Sequence, residues 1–290
     1  MKKLSCLKEN IFILALILII IPGNIIAQVK TEFLLEDRIV FDDYIEYIKP
    51  WKSNSKDLIM EKTALFFLGK PYVAHTLDQN VVEQLTVNFR EFDCFTFVET
   101  VIALSMTALE EEPTIEAYAD NLKSIRYRDK VILGYHSRLH YTIDWIYENS
   151  KNGIMKDITS EIGGVKDNKI INFMSEHRTS YNQLTDDDTT LNEIIKVETK
   201  INDRGGFYYL PKDEIAKSDS LIPHMSVVGF TTSLEGLDVT HVSFAFRKDR
   251  ELKFIHASSV LNEIVIDKQL LSNYCNSRSS CTGIIIAKVL

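Results

Sequence analysis

The sequence predicts an α+β fold, with a mainly helical part first and an antiparallel sheet second. Two observations carry that reading. In the N-terminal part apolar residues recur at three- and four-residue spacing, and after Arg204-Gly205-Gly206 the period changes from 3.6 to 2. The chain has 290 residues, 45% of them hydrophobic and 26% charged, enough to bury a sizeable core. There is no internal repeat, and no low-complexity stretch beyond Asp186-Asp187-Asp188.

The periodicity predicts helices from about Glu36 to Ile48 and from about Lys56 to Leu68, the second with Ser55 as N-cap. Further helices are expected over Cys94 to Leu109, roughly Ile115 to Ile125, and Tyr141 to Tyr147. Another lies near Thr189–Ile201, where the preceding aspartates suit the positive end of a helix dipole. Short β-rich runs then follow at Phe207–Leu210, Met225–Thr231, Val239–Arg247, Leu252–Ala257, Glu263–Ile266 and Gly283–Val289.

Residues 1–27 read as a signal peptide. Lys2, Lys3 and Lys8 precede the apolar run Ile11–Ile21, Pro22-Gly23 ends it, and Ala27 is a small residue suited to cleavage. The run is shorter than the roughly 20 residues a membrane-spanning helix needs, so stable membrane insertion after cleavage is not expected. An uncleaved anchor is the alternative, because apolar character continues through Ile25 and Ile26. The expected organisation is thus 1–27 signal peptide, 28–204 mainly helical and 205–290 antiparallel β, in an exported protein of the periplasm or cell envelope.

The formal charge of -8 falls to -10 once the leader is removed, which argues against nucleic-acid binding. Three cysteines then remain. In an oxidising compartment an odd count predicts one pair and one free thiol. Cys275 and Cys281, flanking the polar stretch Asn276–Ser280, are the candidate bridge, which leaves Cys94.

Asp93 is a good N-cap, so Cys94 is expected to open a largely apolar helix. A thiol at that tip faces unpaired N–H groups, which lower its pKa and favour the thiolate. Such a nucleophile needs a base, and the base an orienter. Along Val239–Phe246 one strand face carries Val239, His241, Ser243 and Ala245, and the next strand presents His256 beside Phe254 and Ser258. A two-residue Asp249-Arg250 loop pairs His241 with Ser258 and His256 with Ser243, which places both histidines on one face. A three-residue loop would pair the histidines directly, and a register shifted by one would separate them. Two satisfied core histidines are the bland reading of the same pattern.

Five segments carry a resemblance: Gly69–Leu77, Phe92–Thr100, Arg138–Trp145, Thr240–Phe244 and His256–Ser259. In this order they resemble the DUF1460 family of N-acetylmuramoyl-L-alanine amidase-like proteins, relatives of the NlpC/P60 cysteine peptidases. The resemblance implies a papain-like core with Cys94 as nucleophile, His241 as base and His256 orienting His241. It also implies that Tyr72 lies beside the nucleophile as an oxyanion donor. The implied reaction is amide hydrolysis in peptidoglycan or muropeptides through a thioester, with no cofactor and no metal. Arg138, His140, Asp144 and Trp145 line a substrate groove in one reading, Arg138 facing a stem-peptide carboxylate and Trp145 packing on sugar or peptide; the equal alternative is an aromatic core residue with a surface Arg. Two departures border the site: His224-Met225-Ser226 stands where such proteins commonly carry Gly-Asp, and Ser243 replaces a common Gly. A catalytically inactive module binding wall fragments, and a thiol acyltransferase, are the rival readings.

Overall fold

The computed structural model describes residues 33–80 and 82–290; the leader expected over 1–27 lies outside them. Helices α1 (Leu35–Ile48), α2 (Lys56–Phe66), α3 (Cys94–Ala108), α4 (Ile115–Arg126) and α5 (Thr142–Lys151) come first. Strands β1 (Met155–Asp157) and β2 (Val165–Asp167), the single turns α6 (Phe173–Glu176) and α7 (Asn182–Thr185), and α8 (Asp188–Asn202) follow. The last part holds β3 (Phe207–Pro211), α9 (Lys212–Ile215), β4 (Val227–Thr232), β5 (Val239–Lys248), β6 (Glu251–Ser258), β7 (Glu263–Ile266), α10 (Leu271–Asn276) and β8 (Cys281–Val289). No helix among the described residues is long and apolar enough to cross a membrane.

The Ser55 cap expected from sequence is formed, and within the acidic run Asp187 turns out to be a cap as well. Ser55 Oγ accepts from Leu58 N–H at 3.4 Å, and Asp187 accepts from the N–H groups of Thr189 and Thr190 at 2.9 and 3.0 Å. What the sequence pattern passes over is short. β1 and β2 have three residues each, too few to display a period of two, and α9 and α10, of four and six residues, span less than two turns among strands.

All paired strands run antiparallel, in the order β2-β3-β8-β4-β5-β6-β7, with β1 also on β8. Alternation sends side chains to two cores. Val227, Val242, Phe244, Ile255 and Ile285 meet Phe97, Val98 and Val101 of α3, within a cluster that extends into α1, α2 and α4. Val228, Phe230, Ala245, Phe254 and Ile286 face the other way, onto Leu271, Tyr274 and Cys275. The described residues form one contact unit, because the first core draws on helices and strands alike.

Helix α3 is the axis of this arrangement, buried along most of its length. Its polar groups are satisfied within the core. Ser105 Oγ donates to Val101 O at 2.7 Å, Thr107 Oγ1 to Ala103 O at 2.8 Å, and Glu99 accepts from Arg126 Nε at 2.7 Å.

The β5–β6 hairpin turns on two residues. Asp249 and Arg250 both take positive φ, 52° and 72°, as a type I′ turn requires. Lys248 pairs with Glu251, and the ladder runs back from there to its last pair, Phe244 with Ile255. The pairing set by the Asp249-Arg250 loop is therefore the two-residue alternative.

Candidate active site

Asp93 fixes the start of α3. Its Oδ1 accepts from Phe95 N–H at 2.9 Å and Thr96 N–H at 2.7 Å, while Asp93 N–H donates to Thr96 Oγ1 at 2.9 Å. This reciprocal box leaves Cys94 as the first helical residue, half-buried, and the free cysteine among the described residues. The thiol lies where two strands part. The β5–β6 ladder ends at Phe244↔Ile255, and the Val242 N–H just beyond it points at the sulphur, as do those of Cys94 and Phe95.

The lowered pKa expected for the helix tip does not occur. Burial pushes the Cys94 thiol up to about 12, the Asp93 carboxylate adds to the push, and the three N–H groups offset only part of it. The residue that caps the helix thus also opposes a thiolate at its tip. The resting group is a thiol.

His241 and His256 meet edge to face, with Nε2 of His241 2.7 Å from Nδ1 of His256. Nε2 of His256 has a single acidic neighbour, Asp267 Oδ2 at 3.4 Å, and no closer partner among the described residues. That distance is long for a hydrogen bond, but proton bookkeeping gives it a direction. A carboxylate only accepts, so His256 presents Nε2–H to Asp267 and its Nδ1 carries a lone pair. His241 then donates Nε2–H to that lone pair, which leaves His241 Nδ1 free to take a proton. Both rings are held neutral. Burial lowers His241 to about 3, with His256 and Arg278 adding to the effect. Burial likewise lowers His256 to about 4, against the opposing pull of Asp267.

Tyr72 is clamped against the segment that leads into Cys94. It bridges Phe92, its N–H donates to Asn262 O at 2.9 Å, and Val73 N–H donates to Phe92 O at 2.9 Å. Burial raises its phenol, and the acids Cys94 and Asp93 raise it further, which marks the ring as a neighbour of the thiol.

Tyr274 and Arg278, absent from the sequence reading, complete the surroundings. The Tyr274 ring lies 6.0 Å from His241 and 5.9 Å from His256, centroid to centroid. The Arg278 guanidinium lies 3.3 Å above the centroid of that ring. Cys275 and Cys281 are bridged, with Cα atoms 5.5 Å apart, so the disulfide closes the turn that carries Arg278. That bridge was the available sequence signal, since it brackets Arg278. Asp267 follows β7 and has no local signature at all.

The expected groove residues are placed differently. Trp145 is 1% exposed and packs edge-on against Phe95 at 5.3 Å, so its ring offers no face to sugar or peptide. Asp144 is equally buried, ion-paired with Arg128 and, at 2.7 Å, with Arg204. Arg138 is buried too, with Asp78 at 2.8 Å and Glu83 at 3.7 Å, and so its charge is neutralised inside the protein. His140 binds Tyr135 O through Nε2 at 2.8 Å, and burial lowers it to about 3, with Arg138 contributing. In this structure Asp144, Trp145 and Arg138 are scaffold: each side chain is already committed to protein partners.

Among comparisons with known proteins, a family model described as N-acetylmuramoyl-L-alanine amidase-like matches residues 62–284. A crystal structure of an N-acetylmuramoyl-L-alanine amidase from Bacteroides uniformis is 34% identical, with a TM-score of 0.74 over 82% of this chain and 100% of that one. A structure from Bacteroides fragilis, provisionally named a xylanase, is also 34% identical, with a TM-score of 0.74 over 78% of this chain and 99% of that one. Protein LPG0564 of Legionella pneumophila, a DUF1460 protein, shares the fold at 24% identity, with a TM-score of 0.67 over 87% of this chain and 95% of that one. No curated protein matches the chain. By the extent of these matches, the chain belongs to the N-acetylmuramoyl-L-alanine amidase-like family.

Proposed function

We propose that this protein is an exported cysteine hydrolase that cleaves amide bonds of peptidoglycan or muropeptides, on a papain-like, NlpC/P60-type core. The observation that carries the reading is the Val242 N–H at the Cys94 sulphur, which brings the capped helix tip to the residue next to His241, the head of the His241–His256–Asp267 chain. The family match supports amide hydrolysis, and the leader-like segment over 1–27 supports export.

The chemistry follows from the proton bookkeeping. As the Cys94 sulphur attacks the amide carbonyl carbon, its proton passes to Nδ1 of His241. The Cys94 N–H and the Tyr72 hydroxyl stabilise the developing oxyanion. His241 then delivers the proton to the leaving amine, and the C–N bond breaks to give a thioester. Water, deprotonated by the same nitrogen, releases the acid and restores the thiol. His256 keeps His241 in the required tautomer and stabilises its protonated form. Because the resting pair is neutral, the thiol is activated within the reaction and not before it.

The bond between muramic acid and L-Ala is the preferred target, and the γ-D-Glu to diamino-acid bond is the alternative. Mass spectrometry of products from defined muropeptides decides between them. Replacing Cys94 with Ala is expected to abolish product release with the melting temperature retained; full activity in that variant overturns the assignment. A non-hydrolytic wall-binding module would release nothing even as wild type, and an acyltransferase would pass the acyl group to an added amine instead of water.

A further inference from the structure

We propose that Arg278, held over Tyr274 on the disulfide-closed turn, is the subsite for a carboxylate of the stem peptide. This rests on the amidase reading and names the part of the substrate that the site recognises.

Arg278 differs from the other arginines. Except for Arg250, at the exposed β5–β6 turn, each of the others ion-pairs with a carboxylate of the protein. No carboxylate among the described residues lies within ion-pair reach of Arg278. Its Nη1 donates to Tyr274 O at 3.1 Å and Ser277 Oγ at 3.3 Å, both neutral acceptors of its own turn. The side chain is only half-buried, so its remaining donors are open to a ligand. Its position is fixed from below by the Tyr274 ring and from both flanks by the Cys275–Cys281 bridge.

The location matters as much as the vacant donors. The guanidinium and the two histidines neighbour the same aromatic ring, Tyr274. A bare cation there disfavours protonation of both rings, and the reaction needs His241 protonated midway. An anion docked on Arg278 removes that opposition when substrate is present. A planar guanidinium with free N–H groups suits a carboxylate, which it can bind through two parallel hydrogen bonds. When the bond cut is the one after muramic acid, the nearest free carboxylate of the stem is the α-carboxylate of D-Glu.

The test compares two ligands, N-acetylmuramoyl-L-alanyl-γ-D-glutamyl-diaminopimelate and the same compound with the D-Glu α-carboxylate amidated. Wild type is expected to prefer the acid form by about 10- to 100-fold in kcat/KM. In Arg278→Gln that preference falls to near unity, and in Arg278→Lys part of it returns. An unchanged preference in Arg278→Gln overturns the inference. Calorimetric binding of both ligands to the Cys94→Ala protein, with and without Arg278→Gln, separates this question from catalysis. If wild type cleaves neither compound, the amidase reading falls, and the binding preference alone decides the role of Arg278. Binding of neither ligand overturns both.

Discussion

His241 Nε2 and His256 Nδ1 stand 2.7 Å apart, and the Asp267 carboxylate beyond them fixes which nitrogen holds the shared proton. Loss of that direction should cost rate far more than substrate affinity. His256→Ala is expected to lower kcat by about 10²- to 10⁴-fold, the range for losing an orienting partner of a catalytic imidazole. Asp267→Asn keeps the shape but can donate to His256 and so reverse the tautomer chain; a fall in kcat of at least about tenfold is expected, with KM nearly unchanged. Wild-type kinetics in Asp267→Asn would remove Asp267 from the chain.

Alkylation reads the state of the thiol. With Cys94 pushed up to about 12, the thiolate fraction at pH 7 is on the order of 10³-fold below that of an ordinary cysteine. Iodoacetamide should therefore react slowly near neutrality and about tenfold faster per pH unit up to pH 10. Rapid modification that persists below pH 7 would instead reveal a thiolate–imidazolium pair and sink the neutral resting state.

Stability should fall in mild acid. His140, His241 and His256 are lowered to about 3, 3 and 4, so their contribution is complete above the unfolded value near 6.5 and is lost as pH falls toward those values. Asp238 works in the opposite sense: burial raises it to about 6, so its contribution is present at low pH and lost as pH rises through 6. Near pH 5 the histidines outweigh it by about two protons, a loss of at most about 3 kcal/mol per pH unit. Thermal melts between pH 7 and 4 measure that slope, and His256→Gln should make it shallower. A melting temperature that is flat across this window contradicts the neutral burial of the rings.

Met225 poses a contest between strain and packing. It takes φ 58°, a conformation that side chains rarely adopt, yet its side chain is 1% exposed in the core. Met225→Gly relieves a left-handed cost of about 1–2 kcal/mol but opens a cavity worth about 2–5 kcal/mol. The cavity should win, with a net loss of about 1–3 kcal/mol. An increase in stability on urea titration would show that strain dominates.

The parts of the site set by local rules were legible in the sequence. Asp93 announces the helix tip, and a two-residue Asp249-Arg250 loop fixes the face shared by His241 and His256. The thiol pKa was not, because the helix dipole can be read from spacing whereas desolvation and the Asp93 field depend on what packs over the sulphur. The choice between groove and core for Trp145 stayed open in the sequence for a related reason. An aromatic beside an acid suits a groove as well as a core, and only the positions of Phe95, Arg128 and Arg204 decide between them. Asp267, Tyr274 and Arg278 join the site through tertiary contacts made after the last motif.

The Cys275–Cys281 bridge bears on how the proposed nucleophile, Cys94, survives oxidation. The two cysteines are separated by six positions, whereas a ring back to Cys94 would span roughly thirty times as many. In an unfolded chain meeting an oxidant, loop-closure statistics favour the short ring on the order of 10²-fold. Its formation leaves Cys94 without an intramolecular partner among Cys275 and Cys281. The bridge thereby acts on partner choice before folding is complete, reserving the thiol on which the proposed reaction depends.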